Sequence, residues 1–239
     1  MSKSKVLFAT VGGLIAAGAA AVAAYISTIR PWHLRWGSTD EEVIKPLPGD
    51  HLVPNAKLTA THAITIHASP AAIWPWLVQI GQGRGGFYSY DWIENSMGLD
   101  IQTVKQIRPE FQDLKVGDVI PLSPDGMGVP VVYLEPENSL VLHGDTREPG
   151  PGTPPILKEG DYMAAVWGFH LIPQEDGSTR LVERIFIDWN DTPLNSVFYR
   201  VFLEPGSFIM EQKMLRGIKE SAENYVGSTA AEPIAETVA

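Results

Sequence analysis

Between Gly117 and Asn190 the chain runs through β-branched, alternating segments separated by turn residues, and a single long amphipathic segment follows them. The alternating segments are "GDVIPL" from Gly117, "GVPVVYLEP" from Gly128, "NSLVLHG" from Asn138, "DYMAAVWGFHLIP" from Asp161 and "TRLVERIFIDWN" from Thr179. Alternation of apolar and polar residues over such lengths marks half-buried strands. The turn residues "EDGS", Glu175 to Ser178, join the last two as a hairpin. Strands joined in this way are antiparallel, and their apolar face needs a cover. That cover is predicted from about Pro205 to Tyr225, where Phe208, Leu215, Ile218, Ala222 and Tyr225 fall on one helical face.

Upstream, "LTATHAITIHA", Leu58 to Ala68, predicts another strand. Ser69 and Pro70 then stand as N-cap and first helical residue of "SPAAIWPWLVQI". Pro75 inside that segment predicts a short or kinked helix. A second short helix is predicted over Tyr88 to Gly98, with Tyr88 and Trp92, four apart, on one face. No internal repeat is present. The expected class is α+β: a strand, two short helices, about five or more antiparallel strands, and one long helix.

The chain has 239 residues, 44% of them hydrophobic, enough for one full core, which is expected over residues 55–226. An uncharged run from Val6 to Ile29 lies between Lys3 and Lys5 on one side and Arg30 and Arg35 on the other. At ~1.5 Å per residue it reaches across a ~30 Å bilayer core, so residues 1–30 are expected to form a transmembrane anchor, with the N-terminus inside and the domain outside. The rival is a signal peptide cleaved after "AVA", Ala21 to Ala23, which would leave a secreted domain. Residues 31–54, with four prolines, are expected to be an extended linker. Trp32 and Trp36 there belong either to a membrane interface or to the domain surface. Residues 227–239 read as a disordered tail.

Net charge is −10, and the first 35 residues hold four basic side chains and no acidic one, so the rest carries −14. Such a domain is repelled by nucleic acid, which is excluded as a partner. The absence of cysteine removes disulfides, thiolate zinc sites and thiol catalysis. The six histidines show no zinc-site spacing, and no serine sits in a nucleophile elbow, so no metal or cofactor is expected.

"QIGQGRGGFYSYDW", Gln79 to Trp92, lacks the lysine and hydroxyl of a phosphate loop and follows a helix rather than a strand. Its glycines either permit a sharp reversal between helices or let a ligand approach. Arg84 there binds a ligand carboxylate or pairs with Asp91 or Glu94. In "TRLVERIF", Arg180 and Arg184 share one face and Glu183 takes the other. An inward arginine must be paired.

The stretches "AITIHASPAAIWPWLVQIG", the strand opening at Gly117 and Asp118, "TRLVER" and "FIMEQKMLRGIKESAE" together resemble the START-like, helix-grip (SRPBCC) superfamily, over about Thr59 to Val226. That group includes the birch-pollen-allergen fold, polyketide cyclases and lipid-transfer domains, and the similarity is greatest to a bacterial polyketide cyclase-like branch. The resemblance implies a curved antiparallel sheet gripping the long C-terminal helix, with a cavity between them for a hydrophobic or amphipathic small molecule. Pockets of that kind run to ~300–1,000 Å³. The N-terminal apolar segment is a departure from most of the superfamily.

Two functions follow as expectations. One is membrane-tethered binding of a lipid-like or polyketide-like molecule. Its candidate contacts are Arg84, Tyr88, Trp92, Trp167, Phe169, Met210 and Met214, the last four serving either as cavity liners or as plain core. The other is a cyclase or dehydratase with His143, Tyr88 or Glu183 as acid/base groups. Thr146 to Pro155, "TREPGPGTPP", is either a lid or an idle loop.

Overall fold

The computed structural model describes residues 13, 16–18, 20–148, 150–153 and 160–231, with side chains as far as Tyr225. In chain order its elements are α1 (Arg30–His33), α2 (Asp40–Ile44), β1 (Leu58–Ile66), α3 (Pro70–Val78), α4 (Asp91–Ser96), β2 (Val119–Pro121), β3 (Gly128–Glu135), β4 (Ser139–Asp145), β5 (Met163–Pro173), β6 (Thr179–Trp189), α5 (Pro193–Val197) and α6 (Glu204–Ala231). A π-helical turn, Tyr25–Ile29, precedes α1, and another, Phe198–Leu203, connects α5 to α6.

The strands form one antiparallel sheet in the order β1-β6-β5-β4-β3-β2, so the first strand closes against the last. β5 and β6 pair along their full length, and their hairpin closes with Gln174 N–H donating to the Ser178 carbonyl at 2.9 Å. α6 lies across the inner face, where Met214, Leu215, Ile218 and Ala222 are buried with Phe169, Leu140, Leu142 and Leu181. Each of these side chains larger than alanine contributes about 1.5–3 kcal/mol on leaving water. The arrangement is helix-grip-like: a curved antiparallel sheet and a long C-terminal helix.

α3 is nine residues long with Pro75 inside it, the short helix that this proline led one to expect. Ser69 precedes it in an extended conformation but makes no side-chain cap bond. α6 runs to Ala231, past the end expected near Tyr225, and of the expected tail only residues 232–239 lie outside the described residues.

Residues 31–54 are not an extended linker. Leu34 and Trp36 accept hydrogen bonds from the Thr61 and Ala63 amides, at 2.8 and 3.0 Å, which covers the free edge of β1. A capping box at Thr39 and Glu42 starts α2. The segment then crosses the outer face of the sheet, where Val53 joins Val141, Ala164 and Val166. Arg180 bonds Glu42 there, at 2.8 Å through each of two nitrogens. Arg184, also on that face, reaches Asp50 at 3.1 Å and the Glu42 carbonyl at 2.7 Å. Its pairing is structural.

Half of the expected anchor, residues 1–12, 14–15 and 19, lies outside the described residues. Among the described residues no helix is long and apolar enough to cross a membrane. The loop Thr146 to Pro155 is described except at residues 149, 154 and 155, and Gly152 accepts a hydrogen bond from the Gly128 amide at 2.8 Å, tying it to β3.

Candidate functional site

Antiparallel register carries one polar row through the inner face. Leu140, Phe169, Glu183 and His62 are successive cross-strand partners on β4, β5, β6 and β1, so all four point at α6. His62 is 1% exposed and Glu183 fully buried. The His62 Nδ1 lies 3.0 Å from Glu183 Oε2, and 3.5 Å from Glu211 Oε2 on α6. Its Nε2 faces the His33 carbonyl at 3.0 Å, which makes that nitrogen the donor. Trp167 donates its indole N–H to the other Glu183 oxygen at 2.8 Å.

Burial alone would lower the His62 imidazole, but the Glu183 hydrogen bond and the charges of Glu183 and Glu211 carry it above its ordinary value. Burial and the Glu183 charge push the Glu211 carboxyl up to about 8. A second polar knot adjoins the first: Glu204 is bound by Arg30 and by His33, the latter at 3.0 Å. Phe208 stands between the two imidazoles, 5.2 Å from His33 and 5.5 Å from His62. The cavity left among these groups is about 10 Å³, room for one water-sized particle.

A larger space opens on the other flank of α6. Trp76, Tyr225, Ile107, Lys105, Lys213 and Gly217 help line a cleft of about 920 Å³ between α6, the end of α3 and the segment Thr103–Ile107. Its walls mix aromatic surface with two lysines, Lys105 and Lys213, and one carboxylate, Glu220. The expected cavity between sheet and helix is instead filled by the Met214, Leu215 and Ile218 layer, so the open volume lies beside the helix.

The glycine-rich stretch reaches this cleft through Tyr88 and Ser89, while its glycines fold tightly on one another. Gly81 and Gly86 exchange both backbone hydrogen bonds at 3.0 Å, and the Gly85 amide donates to the Gln79 carbonyl at 2.7 Å. A side chain at Gly86, whose φ is +74°, would strike Thr103 Cα at 2.7 Å. Arg84 pairs with neither Asp91 nor Glu94. Its guanidinium donates to the carbonyls of Ile80 (3.1 Å), Val78 (2.8 Å) and Phe111 (3.1 Å), over the Phe111 ring.

Tyr88 precedes α4 with φ +56°, so it shares no helical face with Trp92. Its hydroxyl accepts from Gln79 Nε2 at 2.8 Å and donates to the Trp76 carbonyl at 3.1 Å. Burial raises its pKa, so the phenol keeps its proton near neutrality. Trp92 is 72% exposed and lies outside both spaces. Phe169 and Met214 are buried core, Trp167 holds Glu183, and Met210 accepts a hydrogen bond from Ser89 through its carbonyl. His143 follows inward-facing Leu142 on β4, so it points to the opposite face and bonds the Ala165 carbonyl at 2.9 Å. Strand alternation therefore keeps it from a site under α6.

His62 and Glu211 are the participants that the sequence reading missed. Each is a polar residue inside an otherwise apolar face, His62 between Ala60 and Ile64 and Glu211 between Phe208 and Met214. That interruption is the signal in the sequence.

No protein-family model and no curated protein matches this chain. Among solved structures it is similar to KanY, at 12% identity over 69% of this chain and 97% of that one, with a TM-score of 0.41. It is also similar to MLL2253 from Mesorhizobium loti, at 14% identity over 70% and 97%, with a TM-score of 0.40. A third is PFC0360w, an HSP90 activator from Plasmodium falciparum, at 16% identity over 71% and 96%, with a TM-score of 0.40.

Proposed function

We propose that the chain binds an amphipathic small molecule, with an apolar body and an acidic group, in the cleft beside α6. The cleft itself is the observation that carries this reading. Its volume of about 920 Å³ suits a lipid-like or polyketide-like ligand. Trp76, Tyr225 and Ile107 offer apolar contact, and Lys105 and Lys213 supply positive charge in a domain that is strongly acidic as a whole.

The ligand is taken from a bilayer to which the N-terminal apolar run tethers the domain. An exposed apolar surface supports that placement: Ile26, Ile29 and Trp32 beside the run, and Leu194, Phe198, Phe202 and Ile209 along the approach to α6. Arg30 and His33 bind Glu204, which holds the two groups at one end of the molecule.

A second reading, cyclase or dehydratase chemistry, draws on the convergence of His62, Glu183 and Glu211. The adjoining cavity of about 10 Å³ has no room for an organic substrate, and this favours binding over catalysis.

The deciding experiment is titration of the full-length protein with anilinonaphthalene sulfonate, an apolar fluorophore carrying one anionic group, alongside native mass spectrometry for retained lipid. The wild type binds it, and the double substitution Lys105→Glu, Lys213→Glu weakens binding at least tenfold. Equal binding by both proteins, or none by either, rejects the cleft.

A further inference from the structure

The buried row beneath α6 contains more acid than its own bases balance. Glu204 is matched by Arg30. Glu183 and Glu211 have His62 alone, so two carboxyl groups share one imidazole in a largely buried space. The orientation of His62 sharpens the imbalance. Its Nε2–H is committed to the His33 carbonyl, which turns Nδ1 toward two carboxylate oxygens. If Nδ1 carries only a lone pair, three acceptors converge on one point with nothing positive between them.

We propose that His62 Nδ1, Glu183 and Glu211 form a binding site for one divalent transition-metal ion of the zinc class. The three ligand atoms lie within 4.8 Å of one another. The separations, 3.0 Å from Nδ1 to Glu183 and 3.5 Å to Glu211, bracket the roughly 3.3 Å edge of a tetrahedron with bonds of about 2.0–2.1 Å. A divalent ion with neutral histidine cancels both carboxylate charges.

The surrounding contacts are those that a ligand set needs. His62 is held through its far nitrogen by the His33 carbonyl, and Glu183 through its second oxygen by the Trp167 indole. The cavity of about 10 Å³ beside His62 and Glu211 accepts the one water of a fourth coordination position. Access is from the side of Glu211, whose side chain is 16% exposed against 1% or less for the other two. The ligands come from β1, β6 and α6, so the ion would clamp the first strand, the last strand and the closing helix together. Mixed nitrogen and carboxylate donors suit Zn²⁺ or Co²⁺ better than Mg²⁺ or Ca²⁺.

The test uses the full-length protein stripped with a chelator and titrated with Co²⁺, whose absorption bands report coordination directly, and with Zn²⁺ in a thermal melt. The expected result is one equivalent of Co²⁺ with the intense visible bands of a low-coordinate site, displaced by Zn²⁺, and a higher Tm with Zn²⁺. Glu211→Gln, which keeps shape and removes charge, should weaken binding at least tenfold, whereas Lys115→Ala, at an exposed surface lysine, leaves it unchanged. Absence of both the bands and the Tm shift in the wild type overturns the proposal and means that the row shares protons instead. Should Glu211→Gln fail to fold, the wild-type spectrum decides alone. Neither result bears on fluorophore binding in the cleft.

Discussion

Gly217 on α6 lies directly against the backbone of Tyr88: a Cβ built at Gly217 would sit 2.3 Å from the Tyr88 carbonyl oxygen and 2.8 Å from its Cβ. The closing helix thus docks on the glycine-rich joint through a position where no other residue fits. Gly217→Ala must push helix and joint apart. Although alanine favours the helix by up to about 1 kcal/mol, overpacking costs typically 1–3 kcal/mol, and the obstacle here is backbone. The expected net outcome in chemical denaturation is a loss of about 1–2 kcal/mol; a stabilised Gly217→Ala protein would show that the contact is loose.

Arg84 belongs to the same joint. Its three carbonyl partners on Val78, Ile80 and Phe111 lose their donor in Arg84→Ala. Hydrogen bonds to charged groups are worth about 1.5–3 kcal/mol each, so a total loss of about 2–4 kcal/mol is expected after partial rehydration of the carbonyls. Lysine lacks the fork needed to reach all three and should restore less than half. Fluorophore affinity per folded molecule should stay within about twofold of wild type. A stable Arg84→Ala protein with weakened binding would instead return Arg84 to the ligand site.

The order of elements was legible in the sequence because alternation and turn residues are local signals. Every strand from Leu58 to Trp189 begins and ends within a few residues of its apolar pattern. Register is a property of pairs of strands, and only register puts His62 opposite Glu183. The sequence placed Glu183 on the face opposite Arg184 but had no means of bringing His62 or Glu211 to it. The strap over the outer face was hidden for a related reason. Residues 31–54 are rich in proline and lack periodicity, and their structure comes from long-range bonds such as Arg180 to Glu42. Arg84 escaped prediction because its partners are backbone carbonyls, which no side-chain pattern announces.

The membrane reading predicts that Trp32, 57% exposed, meets lipid. With full-length protein reconstituted in phosphatidylcholine vesicles, brominated acyl chains should quench part of the tryptophan emission, and Trp32→Phe should remove most of that part. Aromatic side chains at the interface sit within reach of such quenchers. Emission indifferent to bromination would reject lipid contact at Trp32. A mature N-terminus near Ala24 or Tyr25 would reject the anchor in favour of a cleaved signal.

Glu94 sets a pH dependence of its own. It is buried on α4, its Oε2 lacks a hydrogen-bond partner, and burial together with the Asp91 charge pushes its carboxyl from 4.5 up to about 7. The folded state therefore holds this proton more tightly than the unfolded chain. Below about pH 4.5 both states are protonated and the favourable contribution is complete. As pH rises toward and through about 7, the unfolded chain has already released its proton and stability falls, after which the loss levels off. Glu94→Gln removes the titration while keeping the shape. Its stability relative to wild type should be near zero at pH 4 and grow to at most about 3 kcal/mol in favour of glutamine at pH 8. Parallel stability curves for the two proteins across that range would mean that Glu94 ionises in the folded state without cost.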